Sequence, residues 1–297
     1  MTNGRPKQLR ALGLLPPRAL TLARKLGLVD LREMVEHGGG DRPAYAYCVY
    51  HAALLARWLG YEAISVIEFG VAGGNGLVAL ERLAAEISSA TAVEIQVYGF
   101  DTGHGLPAPR DYRDLPYHWK QGFFEMDKHQ LEQRLDRARL VLGDIEQTAG
   151  TFFSAHRPAP IGAVMHDFDL YSSTVAGLSM FDVDERYRLP RVYCYFDDII
   201  GSEVELYNDF TGERLAIEEF NSAHDDKKLS KAYHLITRYP MRTWYHQIYV
   251  LHDFSHSRYN DFVSGDDQQL PLGPTTGWAA RAAHALGAWT RSVGPGT

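Results

Sequence analysis

Short apolar runs alternate with helical segments through the middle of this 297-residue chain. Residues 64–69, 94–100 and 139–142 have the length and the composition of buried strands. Residues 161–165 and 191–196 continue the series. Strands that alternate with helices in this way pair in parallel, and the helices cover both faces of the sheet. The sequence therefore predicts an α/β protein with a doubly wound, mostly parallel sheet.

The first 60 residues lack this alternation, and their apolar residues recur at helical spacing instead. We interpret residues 1–60 as an N-terminal helical cap that serves as a lid or as a dimer contact, and we expect a homo-oligomer. Residues 61–270 are expected to form the α/β domain. Residues 271–297 are expected to form a C-terminal helix and a polar tail.

Composition and charge argue against nucleic acid and membranes as partners. The net charge of −7 argues against a nucleic-acid-binding surface, which is normally basic. No apolar run approaches the roughly 20 residues that a membrane-spanning helix needs, and the N-terminus lacks the apolar core of a signal peptide. Both cysteines, Cys48 and Cys194, lie in apolar runs, which indicates buried thiols in a reducing compartment. We expect a cytoplasmic protein without a membrane partner.

Four aspartates follow two of the predicted strands. They are Asp167 and Asp169, in the segment His166-Asp167-Phe168-Asp169, and the pair Asp197-Asp198. Carboxylates gathered at the ends of buried strands repel one another and lose hydration, so a cation, a proton or a basic side chain must compensate them. The local sequence offers little basic compensation, which favours a divalent metal ion. The alternative is that Asp169 and Asp198 only cap helices.

A glycine-rich loop, residues 68–76, joins the first strand to the first long helix of the α/β region. The stretch from Gly74 to Ala79 matches the G-x-G-x-x-A dinucleotide pattern by letter, but it begins several residues after the strand ends. Glu68 at the strand end suits a nucleoside ligand that carries a cationic amino-acid tail, and no pyrophosphate is then required. A purely structural turn is the third interpretation.

Two further acids support the nucleoside interpretation. Asp101 ends the second strand, where it can accept hydrogen bonds from ribose hydroxyls, and Asp144 follows the third strand, where it can face an adenine amino group. In open α/β sheets, ligands bind outside the carboxyl ends of the strands. The loop and both acids fall at this edge.

Together these residues resemble a class I S-adenosylmethionine-dependent methyltransferase, and more narrowly the macrocin O-methyltransferase family of metal-dependent sugar methyltransferases. The resemblance covers roughly residues 60–255. The matching segments are Val66-Ile67-Glu68-Phe69-Gly70-Val71, Tyr98-Gly99-Phe100-Asp101 with Gly105-Leu106-Pro107, Leu142-Gly143-Asp144 with Thr148, Asp167-Phe168-Asp169-Leu170-Tyr171 with Thr174, and Phe196-Asp197-Asp198.

The resemblance implies a Rossmann-like, seven-stranded sheet with an antiparallel final hairpin, whose late strands would lie near residues 214–217 and 242–251. It implies S-adenosylmethionine as cofactor and a hydroxyl of a saccharide or a glycosylated small molecule as acceptor. The residues expected to bind the cofactor are Glu68, Phe69, Gly70, Val71, Gly73, Gly74, Asn75, Asp101, Thr102, Asp144, Ile145 and Asp167.

The resemblance also implies roles for the two acidic clusters. Asp167, Asp197 and Asp198 would bind Mg²⁺, and Mn²⁺ or Ca²⁺ would fit the same oxygen ligands. Asp169 would be the general base beside the acceptor hydroxyl, with His166 as its rival.

Three other functions remain open at this stage. A metal-dependent methyltransferase of catechol-like phenols would use the same acids. A nicotinamide-dependent oxidoreductase would rest on the G-x-G-x-x-A letters. A non-catalytic nucleoside-binding module would keep the cleft without turnover. The aromatic residues between positions 112 and 124 form either an acceptor lid or a loop packed on the core.

Overall fold

Three helices open the part of the chain that the structure describes. The structure is a computed structural model, and it describes residues 15–264. The helices are α1 (Pro17–Lys25), α2 (Leu31–Glu36) and α3 (Pro43–Trp58). Eleven of the 16 residues of α3 are buried, so this helix belongs to the core of the domain. The described part of the predicted cap is thus helical, and its longest helix packs on the sheet.

A seven-stranded sheet forms the centre of the molecule. Its strands are β1 (Ala63–Phe69), β2 (Glu94–Asp101), β3 (Arg139–Leu142), β4 (Ile161–His166), β5 (Arg188–Phe196), β6 (Lys227–Lys231) and β7 (Ile248–Asp253). The order across the sheet is β3-β2-β1-β4-β5-β7-β6, and β7 runs antiparallel to both of its neighbours. The predicted fold class, mostly parallel with an antiparallel final hairpin, is confirmed.

Helices cover both faces of this sheet. Those that follow α3 are α4 (Asn75–Thr91), α5 (Lys128–Glu132), α6 (Ile145–His156), α7 (Tyr171–Leu178), α8 (Gly212–Ala223) and α9 (Tyr233–Ile236). Val66 and Met165 pack into the apolar cluster that contains α3 and α4. Ile67 and Val164, one position along, pack into the opposite cluster with α6 and α7. Because side chains alternate along a strand, strands covered on both faces are apolar at nearly every position.

Two details of the late strands were wrong. Residues 214–217, expected as a strand, lie within α8, where Ala216, Ile217 and Phe220 recur at helical spacing and are buried. The strand β6 instead has the sequence KKLSK, of which only Leu229 is fully buried. Strand β7 begins at Ile248, because Thr243–His246 form a 3₁₀ turn rather than the start of the strand.

Other expectations have simpler outcomes. Cys48 and Cys194 are both fully buried free thiols. No helix between residues 15 and 264 is long and apolar enough to cross a membrane. The predicted C-terminal helix and tail, residues 271–297, lie outside the described residues.

Candidate functional site

A cavity of about 320 Å³ opens at the carboxyl ends of the parallel strands. Its lining residues are Gly70, Ala72, Phe100, Asp101, Thr102, Gly105, Leu106, Pro107, Trp119, Phe124, Gly143, Asp144, Ile145, Asp167, Phe168, Asp169, Ser173, Asp197, Asp198 and Glu205. Six of them were expected to bind the cofactor, including Asp167, and the other three aspartates of the two clusters also line it. The edge of the sheet predicted from sequence is the edge where the cavity lies.

Three carboxylates converge at one end of the cavity. Oxygen atoms of Asp167, Asp197 and Asp198 all lie within 4.8 Å of one another. The backbone aligns the two strands that carry them, since the Asp197 amide donates to the His166 carbonyl oxygen at 3.0 Å. Two segments that are 30 residues apart in sequence thus form one acidic cluster.

Burial makes the ionised forms of this cluster costly. Burial, followed by the charges of Asp198 and Asp197, raises the pKa of Asp167 well above its usual range. Burial and the Asp197 charge raise the pKa of Asp198 to about 7. Among the described residues that line the cavity, none is a lysine or an arginine. The cluster therefore lacks an internal positive charge.

Hydrogen bonds from neighbouring groups hold Asp198 and Asp197. The Tyr207 hydroxyl donates to Asp198 Oδ1 at 2.8 Å, and the Asp198 amide donates to Glu213 Oε2 at 2.9 Å. The Tyr195 hydroxyl donates to Asp197 Oδ1, and Gln247 Nε2 donates to the Asp197 carbonyl oxygen at 2.9 Å. The two tyrosine bonds orient the carboxylates, and the other two bonds hold the backbone that carries them.

Asp169 adopts an unusual backbone conformation beside this cluster. Its φ of 62° lies in the left-handed region, which is uncommon for residues other than glycine. Its amide donates to Asp198 Oδ2 at 2.8 Å, and the Leu170 amide donates to the Phe168 carbonyl oxygen at 2.6 Å. Burial, followed by the Asp198 charge, raises the pKa of Asp169 to about 9. The tight turn directs a carboxyl group into the cavity.

His166, the rival base, does not line the cavity. Its ring is fully buried and stacks on Phe196, with ring centroids 4.3 Å apart and an interplanar angle of 7°. Neither ring nitrogen has a hydrogen-bond partner among residues 15–264. Burial lowers the pKa of His166 to about 3, so the ring is neutral at physiological pH.

The other end of the cavity holds the predicted nucleoside-binding acids. Asp101 accepts the Ala72 amide at 2.9 Å on Oδ2 and the Gly103 amide at 2.6 Å on Oδ1. Asp144 caps helix α6 and accepts the Glu146 amide at 2.9 Å. The two carboxylates are therefore held by backbone while each keeps lone pairs for further hydrogen bonds.

Gly70 lets the glycine loop cross the acidic segment closely. Its φ is +75°, and a Cβ atom at this position would lie 1.7 Å from the Asp167 carbonyl oxygen. Glu68 lies beneath the loop, 2% exposed, and does not line the cavity. Burial raises its pKa to about 8. The remaining loop residues proposed for the cofactor also lie off the cavity wall: Phe69, Val71, Gly73, Gly74 and Asn75.

Two segments that contribute residues to the cavity wall, 112–124 and 200–210, are rich in exposed aromatic and apolar side chains. Trp119 and Phe124 line the cavity, while the Tyr117 hydroxyl donates to the Glu205 carbonyl oxygen at 2.6 Å. Eight of the 18 large apolar side chains exposed in the described chain lie in these segments, so the exposure is concentrated here. They are Tyr112, Tyr117, Phe123, Phe124, Ile200, Val204, Leu206 and Phe210. Leu115 of the first segment is fully buried, as the packed-loop alternative for residues 112–124 predicts, and the acceptor lid stays a prediction.

Sequence reasoning missed four residues around the acids, two of which bond directly to Asp198. Tyr207, Glu205 and Glu213 follow the second aspartate cluster, and Tyr45 belongs to α3. Glu213 carried the only local signal, as an acid just before the helically spaced Ala216, Ile217 and Phe220, and its burial is seen only in the structure. The other three are identified only by the packing.

Comparison with known proteins identifies the fold. No protein-family model matches the sequence, and no curated protein matches it significantly. The crystal structure of CalS11, calicheamicin methyltransferase, is 19% identical with a TM-score of 0.50, and the match covers 85% of this chain and 99% of CalS11. At this identity the likeness concerns the fold alone.

Two further solved structures match less closely. The apo structure of CalS11, described as TDP-rhamnose 3'-O-methyltransferase, is 18% identical with a TM-score of 0.39 over 83% of this chain and 92% of the other. The O-methyltransferase TomG from Streptomyces achromogenes, in complex with S-adenosylmethionine, is 13% identical with a TM-score of 0.37 over 84% and 91%.

Proposed function

Starting from a chain with the Rossmann-like fold of a methyltransferase, we propose that it is an S-adenosylmethionine-dependent O-methyltransferase. It uses a divalent cation, Mg²⁺ in the first place, and it methylates a hydroxyl of a saccharide or a glycosylated small molecule. The observation that carries the proposal is one cavity with two sets of acids. Asp101 and Asp144 lie at one end, and the cluster of Asp167, Asp197 and Asp198 lies at the other.

The nucleoside end of the cavity supports the cofactor assignment. Asp101 at the end of β2 is oriented by two backbone amides, which suits a carboxylate that accepts the paired hydroxyls of a ribose. Asp144 and Ile145, at the start of α6, offer a polar and an apolar contact for a purine ring. S-adenosylmethionine supplies the methyl group, and the protein aligns the two reactants for an in-line transfer.

The acidic end fits a hard divalent cation. Three carboxylate oxygens within 4.8 Å of one another can share one ion, and a cavity lining without lysine or arginine leaves their charge uncompensated. Oxygen-only ligands favour Mg²⁺, Mn²⁺ or Ca²⁺ over softer metals. A bound cation supplies Lewis-acid chemistry that lowers the pKa of an alcohol.

Asp169 is better placed than His166 to remove a proton from the acceptor. The Asp169 side chain lines the cavity, and its backbone amide is tied to Asp198 at 2.8 Å. His166 lies in an aromatic core and makes no contact with the cavity. A general base must reach the proton it abstracts, so geometry favours the carboxylate. A cation beside Asp169 would also favour its ionised form.

The aromatic side chains of the cavity wall support a saccharide-bearing acceptor. Sugars present apolar faces that pack on aromatic rings, and Trp119 and Phe124 line the same cavity as the acids. CalS11, whose fold this chain shares, is described as acting on TDP-rhamnose. A catechol-like acceptor would pack on the same two rings, so the acceptor panel below has to separate the two classes.

Binding and turnover test the proposal separately. We expect S-adenosylmethionine and its demethylated product to raise the melting temperature, and Mg²⁺ to raise it further. Methyl transfer is then measured on a panel of rhamnosides, glucosides and catechols with and without a chelator. No stabilisation by either cofactor form at millimolar concentration would overturn the cofactor assignment. Activity that survives complete chelation would overturn the metal assignment.

A further inference from the structure

A buried tyrosine of α3 lies between the glycine loop and the acidic cluster. Tyr45 is 1% exposed, and its hydroxyl donates to Glu68 Oε1 at 2.8 Å. Its ring packs against the ring of Tyr195 in a T-shaped arrangement, with ring centroids 5.5 Å apart and an interplanar angle of 63°. The Tyr195 hydroxyl in turn donates to Asp197 Oδ1. One side chain from the N-terminal region thus contacts a residue beneath the glycine loop and a residue that bonds to the acidic cluster.

Glu68 transmits the position of Tyr45 to the glycine loop. A Cβ atom on Gly76 would lie 1.9 Å from Glu68 Oε1, so the carboxylate packs directly against the first turn of α4. The other oxygen of Glu68, Oε2, has no hydrogen-bond partner among the described residues. The Tyr45 hydroxyl is therefore the side-chain donor that holds this carboxylate within the described part of the chain. A shift of the Tyr45 hydroxyl would therefore move the carboxylate and the loop that it supports.

Tyr195 transmits the position of Tyr45 to the cation end. It lies in β5, two residues before Asp197, and is 8% exposed. Because its ring packs against Tyr45 and its hydroxyl bonds to Asp197, the orientation of this carboxylate depends on both aromatic rings. Packed interiors resist small displacements, so such a chain of contacts carries strain from one end to the other.

We propose that Tyr45 is a positioning residue that couples cofactor binding at the glycine loop to cation binding at Asp167, Asp197 and Asp198. The inference rests on the proposed function, because it requires both ligands. A cation that fixes Asp197 also fixes Tyr195, Tyr45 and Glu68, so the cofactor finds its loop already ordered. By thermodynamic linkage the cofactor raises cation affinity by the same factor. The N-terminal helical region is then part of the site rather than a detachable lid.

Calorimetric titration measures this coupling without turnover. The dissociation constant of the demethylated cofactor product, S-adenosylhomocysteine, is determined with saturating Mg²⁺ and with a chelator. We expect Mg²⁺ to tighten binding to the wild-type protein at least about fivefold, the lower end of typical coupling between sites. Tyr45→Phe keeps the ring but removes the hydroxyl, and Tyr195→Phe does the same at the other end. In both variants the ratio of the dissociation constant in chelator to that in Mg²⁺ should fall below about twofold.

Tyr50→Phe is the matched control. It removes a hydroxyl from the same helix, outside the contacts with Glu68 and Tyr195, and should keep the wild-type ratio. Melting curves confirm that each variant is folded, and a purely structural role for Tyr45 would change the melting temperature without changing the ratio. Wild-type protein that binds both ligands without coupling, or Tyr45→Phe protein that keeps it, overturns this inference alone. Wild-type protein that binds neither ligand overturns the proposed function as well.

Discussion

At the scale of single residues, the site depends on which oxygen atoms remain available. Both oxygens of Asp198 already accept hydrogen bonds, from the Tyr207 hydroxyl and from the Asp169 amide. Asp197 has one oxygen bonded to the Tyr195 hydroxyl, and no donor within residues 15–264 bonds to the other. Carboxylate oxygens carry two lone pairs each, so these bonds orient the groups and still leave them able to bind a cation. The residues that fix the carboxylates are therefore as important as the carboxylates themselves.

Replacing Asp197 should separate cation binding from cofactor binding. We expect Asp197→Asn to weaken Mg²⁺ binding more than about tenfold, because it removes one charged ligand and leaves its neighbours in place. Cofactor affinity measured in the presence of a chelator should stay within about twofold of wild type. Calorimetry measures both. Asp209→Asn, at an exposed aspartate paired with Arg214, is the control. Unchanged Mg²⁺ affinity in Asp197→Asn would remove this residue from the cation site.

The two candidate bases give opposite expectations. Asp169→Asn should lower kcat by about 10²–10⁴-fold, the usual contribution of a general base, while the backbone bond to Asp198 is kept. His166→Phe keeps a ring stacked on Phe196 and should change kcat by less than about tenfold. Steady-state kinetics on both variants decide between them, and a larger loss in His166→Phe would assign the base to the histidine.

At the scale of secondary-structure elements, two loops cross at Gly70. The turn after β1 passes the chain after β4 so closely that no side chain fits between them. This crossing brings the glycine loop and Asp167 to the same cavity. Glycine is required at position 70 both because a Cβ would collide with the Asp167 carbonyl oxygen and because the backbone has a positive φ.

Gly70→Ala should therefore cost more than a glycine replacement in open space. We expect Gly70→Ala to lower the free energy of unfolding by about 2–4 kcal/mol, from backbone strain and overpacking together, and to weaken cofactor and Mg²⁺ binding. Gly60→Ala has nearly the same φ, +74°, with no atom within 4 Å of the added Cβ. The free energy of unfolding of that control should fall by only about 1–2 kcal/mol. Equal losses by urea denaturation would mean that the crossing is not tight.

Elements were predictable from sequence where burial was uniform. Strands β1, β4 and β5 are buried at most positions and read as apolar runs. The less buried β2 and β3 were identified from shorter apolar runs that alternate with helices. The rule on carboxyl ends placed Asp101, Asp144 and the acidic clusters together. The edge strand β6 was not predicted, because its lysine-rich sequence lacks the apolar pattern of a strand. The face of the sheet to which His166 points could not be predicted either, because both faces of β4 are apolar. Tyr45 lies over 100 residues from the clusters, and only tertiary packing connects it with them.

At the scale of the whole molecule, the acidic cavity makes stability depend on pH. The pKa is raised to about 7 for Asp198, about 8 for Glu68 and about 9 for Asp169, chiefly by burial. In the unfolded chain these groups titrate near pH 4. Their contribution to stability is thus complete below about pH 4, falls as the pH rises above it, and is fully lost once the pH has passed the folded-state values. His166, with its pKa lowered to about 3, contributes a constant amount above about pH 7.

Metal-free protein should therefore lose stability between about pH 7 and about pH 9. We expect the melting temperature to fall by several degrees over this range in a chelator. Saturating Mg²⁺ should flatten the profile, because a cation stabilises the ionised carboxylates. Differential scanning calorimetry at matched ionic strength measures both profiles. A metal-free profile that is level or rises with pH would contradict the electrostatic description of the site.

The two buried cysteines can report how often the centre of the molecule opens. Cys48 lies in α3 and Cys194 in β5, both fully buried, and burial raises the pKa of each thiol. A thiol-reactive reagent can modify them only when the centre of the molecule opens, so the modification rate reports the free energy of that opening. The native protein thus carries its own probe, without any label. Slower modification in the presence of S-adenosylhomocysteine and Mg²⁺ would measure how strongly the ligands hold α3 and the sheet together.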